Sequence, residues 1–268
     1  MGSGIAQVSA MAGFNTILYD VADGIVQKAR EKIEKDLNLL ENKGKITAEK
    51  RGQVKTKLRY TSVLEECIAD VIIEAVIEKP QVKIDLFNKL ATFNSHNTLF
   101  ASNTSSLSIS EIAEHIKGPE RIAGLHFFNP APVMKLVEVV KGNRTSPDVM
   151  KQLINLAMKL GKVPVACKDS PGFIVNRVAR PFYIESLRLA EEEIADFATI
   201  DRILEHRGFR MGPFKLMDLI GNDINYAVSC SVYEQLNKPE RLRPSFIQKS
   251  KVEKGELGKK SGKGYYEY

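Results

Sequence analysis

The first two-thirds of the chain alternates short apolar runs with longer amphipathic stretches, and this alternation restricts the possible folds more than any other feature. The strand-like runs are Thr16–Tyr19, Val71–Val76, Thr98–Ala101, Arg121–His126 and Lys135–Val140. The helical stretches are Ser3–Ala12, Ala22–Asn42, Lys79–Phe93 and Ser108–His115. Strands that alternate with helices are typical of a parallel sheet covered by helices, so the sequence predicts an α/β fold.

The pattern changes near Lys168, beyond which the chain has helical periodicity and no convincing strand. The later helical stretches are Ile174–Ile194, Ile200–Glu205, Asp223–Leu236 and Pro244–Glu253. We therefore predict an α/β domain over residues 1–168, followed by an all-α domain over residues 169–268. A helical domain of about 100 residues buries little surface by itself, so we expect a second copy to complete its core in a homodimer.

The net charge of +6 comes from one segment of the chain. Between Lys28 and Arg59 there are eleven Lys and Arg residues against five Asp and Glu residues, a difference of +6. Within this segment, Thr47 predicts the start of a second helix in a hairpin that turns at Gly44. Because Tyr60 at the far edge is the only aromatic residue, we expect a small polyanionic ligand rather than a nucleic acid. Many of these lysines, taken singly, are equally consistent with a solvated helix face.

Two further patterns bear on the compartment. No apolar run approaches the ~20 residues that span a bilayer, and the first residues show no cleavable signal pattern. The three cysteines are widely spaced without a Cys-x-x-Cys motif, and the four histidines lack metal-ligand spacing. We therefore expect no disulfide framework, no metal site and no membrane contact, in a protein of the cytoplasm or an equivalent compartment.

The first residues contain part of a nucleotide-binding pattern. Gly2-Ser3-Gly4 opens a helical stretch, and the strand that follows it ends at Asp20. A helix that starts with small residues, followed by a strand ending in an acid, is the latter part of a dinucleotide-binding βαβ unit. There, Asp20 would bind the adenosine ribose and repel a 2′-phosphate, which favours NAD over NADP. Taken alone, this pattern is also compatible with a structural aspartate.

The segment from Leu125 to Glu138 carries the most specific chemistry. His126 ends an apolar strand, and open α/β sheets bind ligands at the carboxyl ends of their strands. Asn129-Pro130 favours an extended exit from that strand. If the chain returns antiparallel over Val133–Val140, Glu138 lies beside His126, where a carboxylate fixes the imidazole tautomer and stabilises the imidazolium. A histidine at a strand end is also compatible with a structural role.

Six motifs along the chain resemble, in order, those of the 3-hydroxyacyl-CoA dehydrogenase family. They are Ala101-Ser-Asn-Thr-Ser-Ser-Leu107, Gly124-Leu-His-Phe-Phe-Asn-Pro130, Pro132-Val-Met-Lys-Leu-Val-Glu-Val139, Asp169-Ser-Pro-Gly-Phe-Ile-Val-Asn-Arg177, Met211-Gly-Pro-Phe214 and Gly258-Lys-Lys-Ser-Gly-Lys-Gly-Tyr-Tyr266. The resemblance covers essentially the whole chain. It implies a Rossmann-like NAD-binding domain, an all-α C-terminal domain and reversible NAD-dependent oxidation of (S)-3-hydroxyacyl-CoA. Short-chain substrates in fatty acid or butanoate metabolism are the implied choice.

The same resemblance implies roles for individual residues. His126 is implied as the general base toward the C3 hydroxyl, with Glu138 as its orienting partner. The implied polar groups around the hydroxyl, the thioester and the nicotinamide are Ser105, Asn129 and Asn176. The implied NAD contacts are Gly2, Asp20, Ala75, Glu78, Lys83, Asn103 and Lys260. The implied substrate contacts are Ser105, Asn176 and Lys43, with Lys43 of the basic hairpin meeting the CoA phosphates.

The chain departs from the family at its start. Family members begin with a strand and a full Gly-x-Gly-x-x-Gly motif, whereas Gly2 matches only the last of those glycines. Without that central strand we expect two unpaired strand edges and fewer backbone donors for the pyrophosphate. The preferred explanation is a start site assigned at an internal Met. A cloning remnant and impaired NAD binding are the alternatives.

Two other functions remain compatible with the sequence. One is a related two-domain dehydrogenase that acts on a free hydroxy acid or sugar acid, which the basic hairpin disfavours. The other is a non-enzymatic dimer that does not bind NAD, because the first strand and its glycines are absent. Activity on acetoacetyl-CoA and a nucleotide titration discriminate among the three.

Overall fold

In the computed structural model, which describes residues 1–268, the α/β part of the chain forms two sheets rather than one. The strands are β1 (Thr16–Tyr19), β2 (Leu58–Thr61), β3 (Val71–Glu74), β4 (Leu99–Ser102), β5 (Ile122–Phe127), β6 (Leu136–Lys141) and β7 (Val163–Lys168). One sheet pairs β1 with β2 in parallel, and the other has the order β3-β4-β5-β6-β7. In the larger sheet β3, β4 and β5 are parallel, β6 runs antiparallel to β5, and β7 is parallel to β6.

The first helix, α1 (Gly2–Met11), covers both sheets. Its Ile5 belongs to the core cluster that contains Leu125 of β5, and its Ala10 belongs to the cluster that contains Leu18 of β1. The two sheets therefore share one helical cover, yet β1 and β3 do not pair and each is an edge strand. The two unpaired strand edges that the sequence led us to expect are therefore present, on β1 and β3.

The remaining helices of this part are α2 (Asp23–Asn42), α3 (Ala48–Thr56), α4 (Pro80–Phe93), α5 (Ile109–Glu114) and α6 (Pro147–Lys159). Local caps explain where several of them begin. The Thr47 hydroxyl accepts the Lys50 N–H at the start of α3, and the Ser108 hydroxyl accepts the Glu111 N–H at the start of α5. After α1, Gly13 adopts a φ of +92°, which glycine tolerates without steric cost. The predicted helix start at Thr47 is confirmed, and the predicted helical stretch Ser3–Ala12 ends at Met11.

The α/β fold is confirmed, but the sequence pattern omitted β2, β7 and α6. Strand β2 is four residues long, and Arg59 within it is exposed. Strand β7 contains Pro164, which is tolerated because β7 lies at an edge of its sheet. Helix α6 begins at Pro147, with Ser146 as its cap. Strands β2 and β7 bury little, so their apolar pattern is weak, whereas α6 buries an apolar face that includes Leu153 and its pattern was overlooked.

The chain forms two compact units, Met1–Asp169 and Ser170–Tyr268. The helices of the second unit are α7 (Val175–Glu191), α8 (Phe197–His206), α9 (Pro213–Ile220), α10 (Asn222–Gln235) and α11 (Phe246–Glu253). Leu187, Phe214 and Tyr265 belong to its core. The all-α character of this part is confirmed, although α9 was not predicted. None of the helices combines the length and the apolar composition that a membrane span requires.

One buried carboxylate fixes the glycine-rich tail to the helical unit. Asp218 Oδ1 accepts the backbone N–H of Tyr265 at 3.0 Å, and Oδ2 accepts the N–H of Tyr266 at 3.0 Å and the hydroxyl of Tyr268 at 3.1 Å. A Cβ at Gly264 would lie 1.9 Å from Asp218 Oδ1, so the close approach requires glycine. Asp218 therefore orders the aromatic residues of the tail.

Candidate active site

The register of β5 and β6 brings His126 and Glu138 together. The two residues are direct cross-strand partners, and His126 Nδ1 lies 2.7 Å from Glu138 Oε2. Both side chains are buried, with 6% and 1% of their respective surfaces exposed. An ionised carboxylate can accept hydrogen bonds but not donate them, so we assign the imidazole hydrogen to Nδ1. The predicted antiparallel return of the chain is seen, and it places a carboxylate behind an imidazole.

Neighbouring groups fix the end of β5. Asn103 follows β4, and its Oδ1 accepts the backbone N–H of Phe127 at 2.8 Å. The Phe128 ring packs against the imidazole of His126, with 4.5 Å between the ring centroids. Asn129, the next residue, is exposed. The imidazole is thus held at the carboxyl edge of the parallel strands, where open α/β sheets bind ligands.

A buried charge network ties the ends of β3 and β4 to α4. Lys83 Nζ lies 2.7 Å from Glu74 Oε1 and 3.1 Å from Glu78 Oε2. Glu74 also accepts the Val76 N–H at 2.7 Å through Oε1 and the Ser102 hydroxyl at 2.7 Å through Oε2. Glu74 and Lys83 are both almost fully buried, and a buried charge is strongly destabilising without its partner. Each of the two charges therefore requires the other.

Glu78 extends this network to the loop after β4. Its Oε1 accepts the Thr104 hydroxyl at 2.5 Å and the Ser105 N–H at 2.9 Å. The same loop contains Asn103, which holds the end of β5. Glu78 itself keeps about a third of its side chain exposed, at 36%. The loop that carries two implied ligand contacts is therefore shaped by a carboxylate, which Lys83 in turn holds in place.

The structure places Lys83 differently from the NAD contact that the family resemblance implied. A direct contact requires an accessible ammonium, but the Lys83 side chain is 1% exposed and pairs with two carboxylates. Sequence reasoning also missed Glu74 and Thr104. The available signal was an acid, Glu74, at the end of the otherwise apolar strand Val-Ile-Ile-Glu, because such an acid needs a buried partner.

The start of α1 and the end of β1 fit a dinucleotide. Gly2 is the first residue of α1, and the backbone N–H groups of a helix N-terminus favour a pyrophosphate. Gly4 lies against the loop after β5, since a Cβ there would be 3.1 Å from Pro132 Cδ. Asp20 directly follows β1, and its Oδ1 accepts the Ala22 N–H at 3.3 Å. Small residues at a helix start and an acid at the end of the next strand are two of the features with which a dinucleotide-binding βαβ unit holds NAD.

The other candidate residues lie elsewhere in the chain. Ala75 follows β3 and packs against the core of the larger sheet. Lys43 is exposed at the end of α2, at the tip of the basic hairpin. In the helical unit, Asn176 lies in the first turn of α7, and Lys260 pairs with Asp223 at 2.6 Å. The first unit alone therefore brings the histidine, its carboxylate and the loop after β4 to one sheet edge.

The Glu138 charge also acts on the neighbouring strand. Cys167 of β7 lies opposite Val140 of β6. Burial raises the pKa of the Cys167 thiol to about 11, with further contributions from the charges of Glu138 and Asp169. The thiol is therefore protonated near neutral pH and does not act as a nucleophile there.

Sequence profiles of two families match almost the whole chain. The profile described as 3-hydroxyacyl-CoA dehydrogenase, NAD binding domain, matches residues 1–170. The profile described as 3-hydroxyacyl-CoA dehydrogenase, C-terminal domain, matches residues 172–268. The two matches follow each other in the order of the two structural units.

Individual relatives agree with the profiles. The 3-hydroxyadipyl-CoA dehydrogenase of Escherichia coli K12 is 48% identical over 270 residues, covering 100% of this chain and 57% of the relative. The mitochondrial hydroxyacyl-coenzyme A dehydrogenase of Sus scrofa is 39% identical over 276 residues, covering 100% of this chain and 88% of the relative. The crystal structure of (S)-3-hydroxybutyryl-CoA dehydrogenase from Ralstonia eutropha superposes with a TM-score of 0.95 at 34% identity, covering 100% of this chain and 95% of that one.

The chain thus spans little more than half the length of the E. coli relative and most of the length of the other two proteins. Both profiles and the superposition agree with the family that the six sequence motifs indicated. The chain belongs to the 3-hydroxyacyl-CoA dehydrogenase family of NAD-dependent oxidoreductases.

Proposed function

We propose that this protein catalyses the reversible, NAD-dependent oxidation of (S)-3-hydroxyacyl-CoA to 3-ketoacyl-CoA. The observation that carries the proposal is the buried contact of 2.7 Å between His126 Nδ1 and Glu138 Oε2 at the carboxyl edge of the sheet. Bound NAD⁺ supplies the acceptor for the hydride from C3. The chain's own residues must therefore move the proton of the C3 hydroxyl.

His126 is the residue proposed to move that proton. When Nδ1 donates its hydrogen to Glu138, Nε2 is the basic nitrogen of the ring and takes the proton from the C3 hydroxyl. Glu138 then stabilises the imidazolium and keeps the ring oriented. In the reverse direction the imidazolium returns the proton to the oxygen at C3. One residue thus serves as base and acid.

The loop after β4 supplies two of the proposed contacts, Asn103 and Ser105. The buried pair of Glu74 and Lys83 holds Glu78, and Glu78 holds the loop through the Ser105 N–H. The proposed polar contacts of the substrate and the nicotinamide are Ser105, Asn129 and Asn176. The proposed NAD contacts are Gly2, Asp20, Ala75, Glu78, Asn103 and Lys260. Lys83 acts through Glu78 in this proposal.

The CoA thioester is the proposed substrate class, with a short acyl chain. The names of the E. coli and Ralstonia eutropha proteins differ in the acyl group, hydroxyadipyl and hydroxybutyryl, but share the CoA. Lys43 is exposed on the basic hairpin, where a cation can meet the phosphates of CoA. We therefore propose the 3-hydroxybutyryl-CoA and acetoacetyl-CoA pair, in fatty acid or butanoate metabolism.

We also propose a cytoplasmic homodimer that forms through the helical unit. Large apolar side chains are exposed on this unit, among them Val178 at 73%, Ile194 at 66% and Phe246 at 66%. Exposed apolar groups of this size favour association with another surface. All three cysteines are free thiols, as expected in a reducing compartment. Light scattering of the purified protein measures the oligomeric state.

Reduction of acetoacetyl-CoA by NADH, followed by the loss of NADH absorbance, tests the proposed activity. Free acetoacetate controls for recognition of the CoA, and NADPH controls for the choice of cofactor. We expect turnover of acetoacetyl-CoA with NADH and far less with either control. Equal turnover of free acetoacetate contradicts the CoA proposal, and NADH binding without any turnover contradicts the proposed reaction. The rate with 3-ketoadipyl-CoA, measured in the same way and compared with the rate with acetoacetyl-CoA, decides which acyl group is preferred.

A further inference from the structure

Lys162 is a buried lysine to which the proposed reaction gives no role. It lies immediately before β7 and is 8% exposed. Its Nζ donates to the Ala131 carbonyl at 2.5 Å and to the Met134 carbonyl at 2.8 Å. It takes part in none of the ion pairs of the structure, and burial lowers the pKa of its ammonium. Two backbone carbonyls are thus its only observed partners.

Both carbonyls belong to the loop of residues 128–135, which joins β5 to β6. The loop also forms a turn of its own, because the Val133 and Met134 N–H groups both donate to the Pro130 carbonyl at 3.0 Å. Lys162 binds two other carbonyls of the same loop, those of Ala131 and Met134, which this turn does not use. His126 lies just before this loop and Glu138 just after it.

The position of Lys162 links the loop to the ladder behind it. The residue after Lys162, Val163, donates its N–H to the Lys135 carbonyl at 2.8 Å and pairs with Leu136 at the start of β6. Lys162 and Val163 together thus hold the loop end and the first residue of β6. The register of β6 sets which of its side chains faces His126, since a shift of one residue turns every side chain to the other face.

The loop also contacts the start of α1. A Cβ at Gly4 would lie 3.1 Å from Pro132 Cδ and 3.3 Å from Ala131 Cβ, so the helix and the loop are in close contact there. The Ala131 side chain is buried at this contact, and its carbonyl is one of the two that Lys162 binds. The loop thus contacts the helix of the proposed pyrophosphate site and joins the two strands that carry the proposed proton-transfer pair.

Burying an ammonium without a carboxylate partner costs free energy, because desolvation disfavours the charged form. An apolar side chain such as Met has similar length and carries no such cost. Hydrogen bonds from a charged donor are, however, about twice as strong as neutral ones. The charge of Lys162 is therefore best explained by its hold on the two carbonyls.

We propose that Lys162 is a positioning residue, which fixes the loop of residues 128–135 so that Asn129 and the pair of His126 and Glu138 are in place for proton transfer. This inference rests on the proposed function. The geometry assigns Lys162 no contact with the substrate or the cofactor, so it acts through the loop backbone.

Lys162→Met tests the proposal, with Lys159→Met as its matched control. Lys159 is exposed at the end of α6, so the control removes the same charge from the same region without touching the loop. The measurements are kcat, the KM for NADH, the melting temperature, and amide hydrogen exchange of residues 128–135. Lys162→Gln is the second variant, since its amide can still donate to one of the two carbonyls.

For Lys162→Met we expect kcat to fall about tenfold or more, because small displacements of catalytic groups are costly. The melting temperature should stay near that of Lys159→Met, and amide exchange should become faster at Val133 and Met134. Lys162→Gln should lose less activity than Lys162→Met. A lower melting temperature with full kcat for the folded fraction overturns the proposal, since it shows a purely structural role.

Unchanged exchange in the loop also overturns it, whatever the activity. If Lys162→Met does not fold, the kcat of Lys162→Gln per folded molecule tests the proposal instead. A value equal to that of the unmodified protein overturns the proposal, and a reduced value with faster loop exchange supports it. If the unmodified protein does not turn over acetoacetyl-CoA, the proposed function fails, whereas loop exchange still tests the hold of Lys162 on the loop.

Discussion

His126 and Glu138 face each other across the antiparallel ladder of β5 and β6, with 2.7 Å between Nδ1 and Oε2. Twelve positions separate them in the sequence, and one hairpin loop is enough to bring them together. Both side chains are almost fully buried, which strengthens a hydrogen bond to a charged acceptor. The proposed reaction depends on this pair more than on any other contact in the molecule.

The His126→Gln variant should lose turnover while keeping its affinity for NADH. Glutamine retains a polar side chain but cannot accept the hydroxyl proton at neutral pH. Loss of general-base catalysis should lower kcat by about 10²–10⁴-fold. Steady-state kinetics with acetoacetyl-CoA and a fluorescence titration with NADH measure the two effects. A variant with nearly full kcat would show that another group moves the proton.

The Lys83→Met variant should destabilise the first unit strongly. It leaves the buried Glu74 carboxylate without its cation, and removing one partner of a buried pair costs about 3–5 kcal/mol. The free energy of unfolding in urea measures the loss. Lys79→Met, at an exposed position just before α4, is the control. Adding Glu74→Gln to Lys83→Met should recover part of the stability, and no recovery would contradict the pairing.

The Lys43→Ala variant should weaken binding of the CoA nucleotide. We expect the KM to rise more for acetoacetyl-CoA than for a pantetheine thioester that lacks the nucleotide. Because Lys43 is exposed, the difference should shrink in high salt, where exposed charges are screened. Lys254→Ala, at an exposed position after α11, is the control. An equal effect on both thioesters would indicate a structural lysine.

An apolar strand followed by Gly-x-Gly-x, added ahead of Met1 so that Gly2 becomes the last glycine of the motif, should raise both the melting temperature and the affinity for NADH. Strands β1 and β3 are edge strands under a common helix, so an added strand can pair with both. Each buried hydrogen bond that is left unmade costs ~1–3 kcal/mol. Calorimetry with and without NADH compares this protein with one carrying a Gly-Ser extension of equal length. Identical melting of both would show that the two edges do not accept a strand.

Cys167 should react slowly with iodoacetamide. Burial and the Glu138 and Asp169 charges raise its pKa to about 11, so the thiolate forms only as the pH approaches that value. At pH 8.5 roughly 0.3% is ionised, compared with about half of a free cysteine. The rate should rise about tenfold per pH unit up to about pH 11 and should be faster in Glu138→Gln. Mass spectrometry of the alkylated peptide measures it, and a rate like that of free cysteine would contradict the shift.

Local chemistry made much of the fold predictable. The helix starts at Thr47 and Ser108 depend on caps that bond a backbone N–H three residues later, so their sequence signals survive in the structure. The edge strands β2 and β7 were not predictable in this way, because they bury little and their pairing is decided by strands far along the chain.

The same division applies to the candidate site. The sequence by itself determined the α/β alternation, the hairpin that joins His126 to Glu138, and the family to which the chain belongs. Only the tertiary structure decided that Lys83 is buried between two carboxylates and that Lys162 binds the loop after β5. The physical reason is that lysine is usually a solvated surface residue, and a local pattern does not reveal a buried one. Its burial and its partners are set by elements that meet only when the chain folds.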